Sequence, residues 1–259
     1  MPRQVIALEG RLRRCSNVTT LGVHPNFGDY SDPERSAMDA APVIYYPSSQ
    51  YAFLFSTIGK RTFPGYAAYV CAQDKIRQTA LFQMAGIPHP PTRVFYGSRQ
   101  HQKILSRFTL PLIAKIPRGS ALGRGVFLIQ QEADLAAFCS QHHTVYIQKY
   151  LPVSRDIRVV VVGGRVVHAY WRHAPELDFR SNVAVGGRIS FDPVPQSALA
   201  LAVHTAATCR WDDVGIDIID YDGSLFVIEG NMKYGREGFR QAGIDYTRLM
   251  EGLIADGTI

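Results

Sequence analysis

The chain has 259 residues, of which 46% are hydrophobic and 19% are charged. This composition is typical of a folded globular protein and excludes a chain that is mostly disordered. No apolar run reaches the roughly 18 to 20 residues that a membrane-spanning helix needs, and residues 1–9 lack the apolar stretch of a signal peptide. We therefore expect a cytoplasmic protein of one or two domains that has no membrane partner.

The formal net charge is +6, which favours an anionic ligand or partner. The Lys and Arg residues are scattered and form no recognisable nucleic-acid-binding motif, so we expect a phosphate-bearing or acidic ligand rather than a nucleic acid. The four cysteines lie far apart and include no Cys-x-x-Cys pair, which excludes a zinc knuckle and a redox pair. We expect them to be reduced residues of the core.

Secondary-structure signals are weak in the first 65 residues. Short apolar runs predict strands over 43–46 and 51–55. Between residues 23 and 42 the sequence is rich in Pro, Gly, Asp and Ser, which predicts a loop with at most a short helix.

The signals become regular in the second quarter of the chain. Asp74 is a suitable N-cap for a helix that runs to Ala85, and Gly86 ends it. Two strand pairs are typical of hairpins, one turning at Gly163-Gly164 and the other at Asp222-Gly223. The predicted elements are strands over 92–96, 110–116, 126–129, 145–149, 157–162, 165–171, 215–220 and 225–231, and helices over 74–85, 132–140 and 197–210.

The order of these elements indicates an α+β fold. Helices and strands do not alternate regularly, and antiparallel hairpins dominate the second half of the chain. A Rossmann-type sheet alone would not account for this order.

A glycine-bearing segment over 119–125 lies between two predicted strands. Backbone amides without side chains can close over phosphates, but the segment matches neither a Walker A motif nor Gly-x-Gly-x-x-Gly. Taken alone, a plain hairpin loop is the better interpretation. Lys115 strengthens the phosphate interpretation, because a lysine at the end of an apolar strand either reaches water or faces a buried anion.

The second hairpin contains Asp217, Glu229 and Asn231. Residues two apart on a strand share a face, so Glu229 and Asn231 project together. A carboxylate in an apolar strand is costly unless it is paired or bound to a metal, and three oxygen ligands suit Mg²⁺. The alternative, in which Asp217 and Glu229 pair with arginines, has equal weight at this point.

The register of this hairpin decides whether the two carboxylates meet. A two-residue turn at Asp222-Gly223 would place Asp217 opposite Ile228, and Glu229 would then lie on the other face. A three-residue loop or a bulged turn, with Gly223 at positive φ, would place Asp217 and Glu229 on one face. We therefore predict the longer or bulged turn.

Asp156 and Arg158 share one face of a predicted strand, and Arg180 in the following loop can join them. Arginine side chains recognise phosphate or carboxylate groups through two parallel hydrogen bonds. A surface ion-pair network is the alternative interpretation, and the sequence leaves both open.

In this order, the features resemble the ATP-grasp carboxylate–amine ligases, and among them the RimK-like glutamate ligases. The resemblance covers roughly residues 70–250. Its most specific parts are Asp178-Phe179-Arg180-Ser181-Asn182 and the spacing of Asp217 from Glu229-x-Asn231. The other matching segments are 73–75, 86–88, 112–115, 123–126, 147–150, 156–158, 186–187 and 215–218.

The resemblance implies an ATP-grasp fold, in which two α+β subdomains hold ATP between them. It implies a short N-terminal region over 1–71, a central subdomain with the glycine-rich loop over 72–146, and a C-terminal subdomain with the metal site over 147–259.

The resemblance also implies a role for each matching residue. Lys75 and Lys115 would contact the phosphates of ATP. Two Mg²⁺ ions, or Mn²⁺ in their place, would be held by Asp217, Glu229 and Asn231, with Glu229 bridging them. Arg158, Arg180 and Asn182 would act in catalysis on the γ-phosphate or the acyl-phosphate. The remaining nucleotide contacts would be Gly123 and Gly125 of the glycine loop, Gln148, Lys149, Tyr150 and Leu151 of the hinge, Asp156, and Arg180, Ser181 and Asn182.

The implied reaction is phosphorylation of a carboxylate by ATP, followed by attack of an amine to give an amide. Such phosphoryl transfer needs positioning and charge neutralisation rather than a nucleophilic Ser, Cys or His. The substrates would be glutamate or another amino acid and a peptide, a protein tail or a small molecule, and a homo-oligomer is left open. The alternative is a regulatory or degenerate ATP-grasp protein that binds nucleotide without ligation.

The sequence departs from the family pattern at three places. The segment Met232-Lys233-Tyr234-Gly235-Arg236 stands where the family commonly has Ser-Pro-Gly after Glu-x-Asn. Trp171-Arg172-His173 replaces a more basic trio, and Lys149 stands where the hinge usually has an acidic residue. The first two departures concern the substrates rather than the nucleotide.

Overall fold

The computed structural model of the protein describes residues 5–72, 74–119, 125–175 and 186–259. The first of these ranges forms a parallel sheet in which the first strand lies between the second and the third. Its elements are the strands β1 (Val5–Ala7), β2 (Val18–Thr20), β3 (Ile44–Tyr45) and β4 (Thr62–Phe63) and the helices α1 (Asp32–Ala40), α2 (Ser49–Thr57) and α3 (Tyr66–Cys71).

The predicted strand over 51–55 is wrong, because these residues lie inside α2. The Ser48 hydroxyl accepts a hydrogen bond from the Tyr51 amide and caps the helix. Tyr51, Ala52 and Phe55 are the buried residues of α2, and this spacing places them on one helix face. Tyr51 and Phe55 pack against the parallel sheet. An aromatic run of this length suits a strand equally well, so tertiary packing decides between the two structures.

The central part of the chain confirms the predicted helix and strands. Helix α4 (Lys75–Ala85) begins after Asp74, whose carboxylate accepts a hydrogen bond from the Arg77 amide, and it ends at Gly86 in the left-handed conformation (φ 68°). The other elements are β5 (Thr92–Tyr96), α5 (Gly97–His101), β6 (Leu112–Lys115), β7 (Val126–Ile129), α6 (Glu132–Gln141) and β8 (Thr144–Lys149). The four strands form an antiparallel sheet in the order β5-β8-β6-β7.

The C-terminal part is built on an antiparallel sheet that contains both predicted hairpins. Its elements are β9 (Arg155–Val162), β10 (Arg165–His173), β11 (Arg188–Ser190), α7 (Gln196–Cys209), β12 (Asp213–Tyr221), β13 (Ser224–Asn231), α8 (Glu237–Gln241) and α9 (Tyr246–Ala255). The strand order is β11-β10-β9-β12-β13, so β13 lies at an edge.

The middle of this sheet is buried on both faces. Val159 and Val161 of β9 pack into the core that contains α7. Val160 and Val162 pack on the opposite face, against residues of the N-terminal sheet and of α9. A strand covered on both faces has a continuous apolar sequence rather than an alternating one, which explains the valine run of β9.

The turn of the second hairpin differs from the prediction. Tyr221 pairs with Ser224 across a two-residue turn, in which Asp222 (φ 51°) and Gly223 (φ 76°) both have positive φ. The predicted longer turn is therefore wrong, whereas the positive φ of Gly223 is confirmed.

A β-bulge further along the same hairpin supplies the extra residue. Ile218 pairs with Val227, but the next pair is Asp217 with Glu229, so Ile228 is the additional residue. Asp217 and Glu229 are thus directly opposed and share a face. The requirement for one extra residue holds, but that residue lies in the strand rather than in the turn.

Contacts from outside the sheet fix the position of this bulge. The Val227 amide donates a hydrogen bond to the Pro88 carbonyl (2.8 Å), and the Gly230 amide donates one to Gln78 Oε1 (2.9 Å). In a regular edge strand, the amides that face outward are two residues apart, whereas these are three apart. Both partners belong to α4 or to the segment that follows it, so this region holds the bulge in place.

The four cysteines are free thiols, as predicted. Within the part of the chain that the structure describes, no helix has both the length and the apolar character that a membrane span requires.

Candidate active site

Four neighbouring strands of the C-terminal sheet place charged or amide side chains on one face. The pairs that are directly opposed in register are Asp156 with Arg172, Arg158 with Asp217, and Asp217 with Glu229. Directly opposed residues of an antiparallel pair project from the same face, so these side chains meet. The set consists of Asp156, Arg158, Arg172, Asp217, Glu229 and Asn231.

Asp217 lies at the centre of the set and is 3% exposed. Arg158 binds it with two nitrogens, and the Nη2–Oδ2 distance is 2.9 Å. Arg172 Nη2 lies 3.0 Å from the same oxygen. Burial raises the pKa of the Asp217 carboxyl, but the guanidinium groups of Arg158 and Arg172 outweigh burial and hold this pKa below its ordinary value. Asp217 is therefore a buried carboxylate that stays charged.

Arg172 belongs to the site, although the sequence named it only within a departure from the family pattern and did not predict its carboxylate partners. It is 4% exposed, and its Nε and Nη2 atoms lie 2.7 and 2.5 Å from the two carboxylate oxygens of Asp156. A regular hairpin with a two-residue turn at Gly163-Gly164 would place Trp171, not Arg172, opposite Asp156. A bulge between Val166 and His168 shifts the register by one residue and brings Arg172 onto the site face.

Asp156 thus belongs to an ion-pair network, but this network is buried, whereas the alternative interpretation of the sequence placed it at the surface. Both of its oxygens accept hydrogen bonds from Arg172. Asp217 likewise pairs with arginines, so the ion-pair interpretation of that carboxylate also applies. Whether Asp156 contacts a nucleotide stays a prediction.

Two lysines of the central subdomain approach the same site from the other side. Lys75, the first residue of α4, has its Nζ atom 4.0 Å from Glu229 Oε2. Lys115, at the end of β6, is 4% exposed. Burial lowers the pKa of Lys115 to about 8, and the neighbouring Lys75 adds to this effect, while Glu229 and Asp217 oppose it. The site therefore lies between the two subdomains and contains cations from both.

The buried side chain of Gln78 bonds helix α4 to the backbone of β13. Its Nε2 and Oε1 atoms bond to the carbonyl and the amide of Gly230, each at 2.9 Å. Gly230 lies between Glu229 and Asn231, so this contact places Lys75 opposite Glu229. The sequence alone does not indicate the role of Gln78, because a polar residue on a helix gives no local signal of burial.

One hinge residue, Gln148, lies on the same face of the central sheet as Lys115. Gln148 pairs with Ile113, two residues before Lys115, so Gln148 and Lys115 share a face. The Gln148 side chain is buried and donates a hydrogen bond to the Thr92 hydroxyl. The Lys149 amide donates one to the Pro91 carbonyl. Of the other two hinge residues, Leu151 is buried and Tyr150 is half-buried.

Several predicted site residues lie outside the described residues. They are Gly123 of the glycine loop and Arg180, Ser181 and Asn182. Gly125, at the end of that loop, is described, and its carbonyl accepts a hydrogen bond from the Ile116 amide.

The donor set of the second hairpin fits a hard divalent cation. Asn231 Nδ2 lies 3.1 Å from Asp217 Oδ2 and 3.0 Å from Glu229 Oε1, so the two carboxylates converge on one atom. Exchanging the nitrogen and oxygen of this amide would place its oxygen at the same point. Two carboxylates and an amide form an all-oxygen set, which Mg²⁺ prefers. In the described ranges, no group of three His, Cys, Asp or Glu residues could hold a metal, so this set depends on the amide as its third ligand.

The segment 232–236, which departs from the family pattern, borders this site. Tyr234 is 4% exposed, and its hydroxyl donates a hydrogen bond to Asp213 (2.6 Å). A Cβ atom at Gly215 would lie 2.9 Å from Tyr234 Cβ and 3.0 Å from Arg158 Cδ. Gly215 thus leaves room for Tyr234 and for the stem of Arg158 beside the backbone of β12.

The sequence profile of the RimK-like ATP-grasp domain matches residues 72–254. The chain belongs to the RimK-like ATP-grasp family. It is 31% identical over 204 residues to a ribosomal protein bS6–L-glutamate ligase of Escherichia fergusonii, a match that covers 76% of this chain and 68% of the relative. A probable alpha-L-glutamate ligase of Citrobacter koseri is also 31% identical, with the same coverage.

Solved structures confirm the ATP-grasp fold. A RimK domain ATP-grasp protein from Sphaerobacter thermophilus superposes with a TM-score of 0.68 at 16% identity, over 97% of this chain and 99% of that one. The D-alanine–D-alanine ligase of Bacillus anthracis complexed with ATP gives a TM-score of 0.67 at 15% identity, over 92% and 85% of the two chains. The ATP-grasp ligase PsnB complexed with a minimal precursor gives 0.62 at 22% identity, over 83% and 80%.

These findings confirm the expected activity class. The chain is an ATP-dependent ligase that joins a carboxylate to an amine. Members of its family bind ATP together with a divalent metal.

Proposed function

We propose that this ligase adds glutamate to the carboxyl end of a peptide or protein. The observation that carries the proposal is the convergence of Asp217, Glu229 and Asn231 with Lys75 and Lys115 between the two subdomains. Such a site neutralises the phosphates of ATP beside a carboxylate substrate. The names of the relatives supply the substrate class, since they are glutamate ligases and one of them acts on a ribosomal protein.

In the proposed mechanism, Lys75 and Lys115 bind the phosphates of ATP. Lys75 lies in the first turn of α4, where the helix dipole and free backbone amides also favour an anion. Asp217, Glu229 and Asn231 would hold Mg²⁺, which when bound neutralises charge on the phosphates. Arg158, fixed by Asp217 and by the close approach of its stem to Gly215, is positioned to bind the phosphoryl group in transfer.

The chemistry then follows in two steps. An oxygen of the acceptor carboxylate attacks the γ-phosphorus of ATP, so ADP leaves and an acyl-phosphate forms. The amine of glutamate attacks the acyl carbon, the phosphate leaves, and the amine loses a proton as the amide forms. Both steps rely on positioning and charge neutralisation, which fits a site whose described residues are cations, carboxylates and amides.

The distribution of charge supports acidic substrates. Residues 72–146 contain nine Lys and Arg against three Asp and Glu, whereas the rest of the chain contains nineteen of each. The whole net charge of +6 therefore lies in the central subdomain as the sequence delimits it. A positive potential on that subdomain would attract glutamate and an acidic acceptor as well as ATP.

The proposal is tested by incubating the protein with ATP, Mg²⁺, a panel of amino acids and acidic or neutral peptides. Phosphate release and product mass are measured together. We expect phosphate release that requires both substrates and a peptide whose mass increases by one glutamate residue. Phosphate release without any mass change, or nucleotide binding without turnover, would favour the regulatory alternative.

Glu229→Gln provides the inactive control for this assay. We expect it to lower turnover at least about 100-fold, because one metal-binding carboxylate is lost, while the melting temperature changes little. Glu229 is only partly buried, and Lys75 Nζ lies 4.0 Å from its carboxylate, so we expect this charge to contribute little to stability. Wild-type turnover in a folded Glu229→Gln variant would contradict the metal-binding role of Glu229.

A further inference from the structure

One oxygen of Asp217 receives three hydrogen-bond donors. Arg158 Nη2 lies 2.9 Å from Oδ2, Arg172 Nη2 lies 3.0 Å from it, and Asn231 Nδ2 lies 3.1 Å from it. A carboxylate oxygen has two lone pairs, so three donors leave no direction open for a cation. Even when the Asn231 amide turns its oxygen towards the metal, the two guanidinium groups still fill both lone pairs, so a metal can bind this oxygen only if one arginine leaves it.

The three donors differ in what else holds them. Arg158 places both Nε and Nη2 on Asp217, so it loses its bidentate pair if it moves. Arg172 places both Nε and Nη2 on Asp156, and its contact with Asp217 is additional. Arg172 can therefore leave Asp217 and keep a complete ion pair, which a buried guanidinium requires. Asn231 stays in place as a ligand once its oxygen faces the metal.

We propose that Arg172 is a positioning residue that substitutes for the metal at Asp217 while no nucleotide is bound. Metal entry moves Arg172 off Asp217, and Asp156 retains it nearby. This inference rests on the proposed metal site at Asp217, Glu229 and Asn231.

The register of the sheet gives the physical reason for such a residue. Asp217 and Glu229 are directly opposed on neighbouring strands, and like charges in that arrangement repel each other. Arg172 compensates this repulsion in the absence of metal. It also makes the metal compete with a resident cation, so the metal alone binds weakly, and binding becomes favourable when nucleotide phosphates add further ligands.

The test measures binding of Mn²⁺ alone to the nucleotide-free protein, by electron paramagnetic resonance or calorimetry. In Arg172→Gln we expect the affinity for Mn²⁺ to rise at least about tenfold, because the competing cation is gone. Arg172→Lys keeps a cation at this place and should remain close to wild type. Arg165→Gln is the matched control, since Arg165 lies on the same strand but pairs with Asp256 at the surface.

Arg172→Gln leaves Asp156 without its buried partner, and this variant can therefore fail to fold. A second variant covers that case. Asp156→Asn/Arg172→Gln removes both charges of the pair, and the same rise in Mn²⁺ affinity is expected. Unchanged or weaker Mn²⁺ binding in a folded form of either variant would overturn the proposal.

Glu229→Gln separates this proposal from the metal site on which it rests. If Glu229→Gln weakens Mn²⁺ binding and Arg172→Gln fails to strengthen it, the metal site stands and the role of Arg172 is wrong. If Glu229→Gln leaves Mn²⁺ binding unchanged in both the wild-type and the Arg172→Gln backgrounds, the metal site itself is wrong. If Arg172→Gln strengthens binding and Glu229→Gln cancels the gain, both assignments are supported.

Discussion

At the scale of single residues, Gly215 leaves no room for a side chain beside the site. A methyl group there would meet Tyr234 Cβ at 2.9 Å and Arg158 Cδ at 3.0 Å, so one of these side chains must move. We expect Gly215→Ala to destabilise the fold by about 1 to 3 kcal/mol and to lower turnover, because Arg158 is pushed off Asp217.

Thermal unfolding and ATP turnover check this prediction. Gly252→Ala is the matched control, since a Cβ atom at Gly252 in α9 has no heavy atom within 4 Å. That change should leave turnover unaltered and stabilise the helix slightly. Normal turnover in Gly215→Ala would show that the packing of Arg158 does not depend on this glycine.

A second single residue, Asp212, should make stability depend on pH. Its carboxylate accepts hydrogen bonds from the Gly65 amide, and burial raises the pKa of this carboxyl to about 6. The folded protein thus holds the proton more tightly than the unfolded chain, whose aspartate titrates near about 4. The contribution of Asp212 to the free energy of unfolding therefore falls as the pH rises from about 4 to about 6, and this loss is complete above that range.

Asp212→Asn removes this penalty and can keep the bond to Gly65 through its amide oxygen. We expect the free energy of unfolding to rise by about 1 to 3 kcal/mol at pH 8, and this gain to disappear towards pH 4. Chemical denaturation at several pH values is the measurement. Asp39→Asn, at an exposed carboxylate, serves as the control, and an equal gain at pH 4 and pH 8 would contradict the argument.

At the scale of elements, the docking of α4 on β13 determines how the two halves of the site face each other. Gln78 bonds to both polar groups of the Gly230 backbone, and these bonds lie beside the bulge at Ile228. Gln78→Ala would leave that backbone amide and carbonyl without partners, at a cost of about 1 to 3 kcal/mol. Lys75 would also lose its fixed position opposite Glu229, so we expect weaker ATP binding.

Direct titration with ATP and a melting curve test this prediction. Gln83→Ala is the matched control, because Gln83 is an exposed glutamine on the same helix, and it should change neither quantity. If Gln78→Ala lowers the melting temperature and leaves ATP affinity unchanged, the helix docking matters for stability alone.

At the scale of the whole molecule, a buried cluster joins the N-terminal region to the C-terminal sheet. Arg11 lies 3.5 Å from Asp213 and 4.6 Å from the centroid of the Tyr234 ring. Asp213 is fully buried and also accepts hydrogen bonds from the hydroxyls of Tyr46 and Tyr234. These contacts attach the N-terminal region to β12, which carries Asp217, and to the segment 232–236, which borders the site.

Arg11→Met should destabilise the protein by about 3 to 5 kcal/mol, because it leaves the Asp213 carboxylate buried without a cation. The double variant Arg11→Met/Asp213→Asn removes both charges and should recover most of that loss. Urea denaturation of the two variants measures the difference. Equal stabilities would show that the hydroxyl groups alone satisfy Asp213.

Local signals in the sequence were sufficient for most of the fold. Asp74 and Gly86 mark the two ends of α4, and Asp222-Gly223 marks a hairpin turn, since capping and positive φ depend only on neighbouring residues. The spacing of Asp217 from Glu229 and Asn231 carried the resemblance to the ATP-grasp ligases, which the comparisons confirm. The limits of the subdomains and the roles of individual site residues stay predictions.

The register of the two hairpins was decided by the tertiary structure alone. One extra residue in β10 brings Arg172 to Asp156, and one in β13, Ile228, brings Glu229 to Asp217. Turn residues predict a regular register, and a bulge leaves no local signal because its position depends on contacts with another element. For Ile228 those contacts come from α4 and the segment after it. The sequence therefore identified Asp217, Glu229 and Asn231 as candidates for one site, and packing between elements determined which side chains face one another.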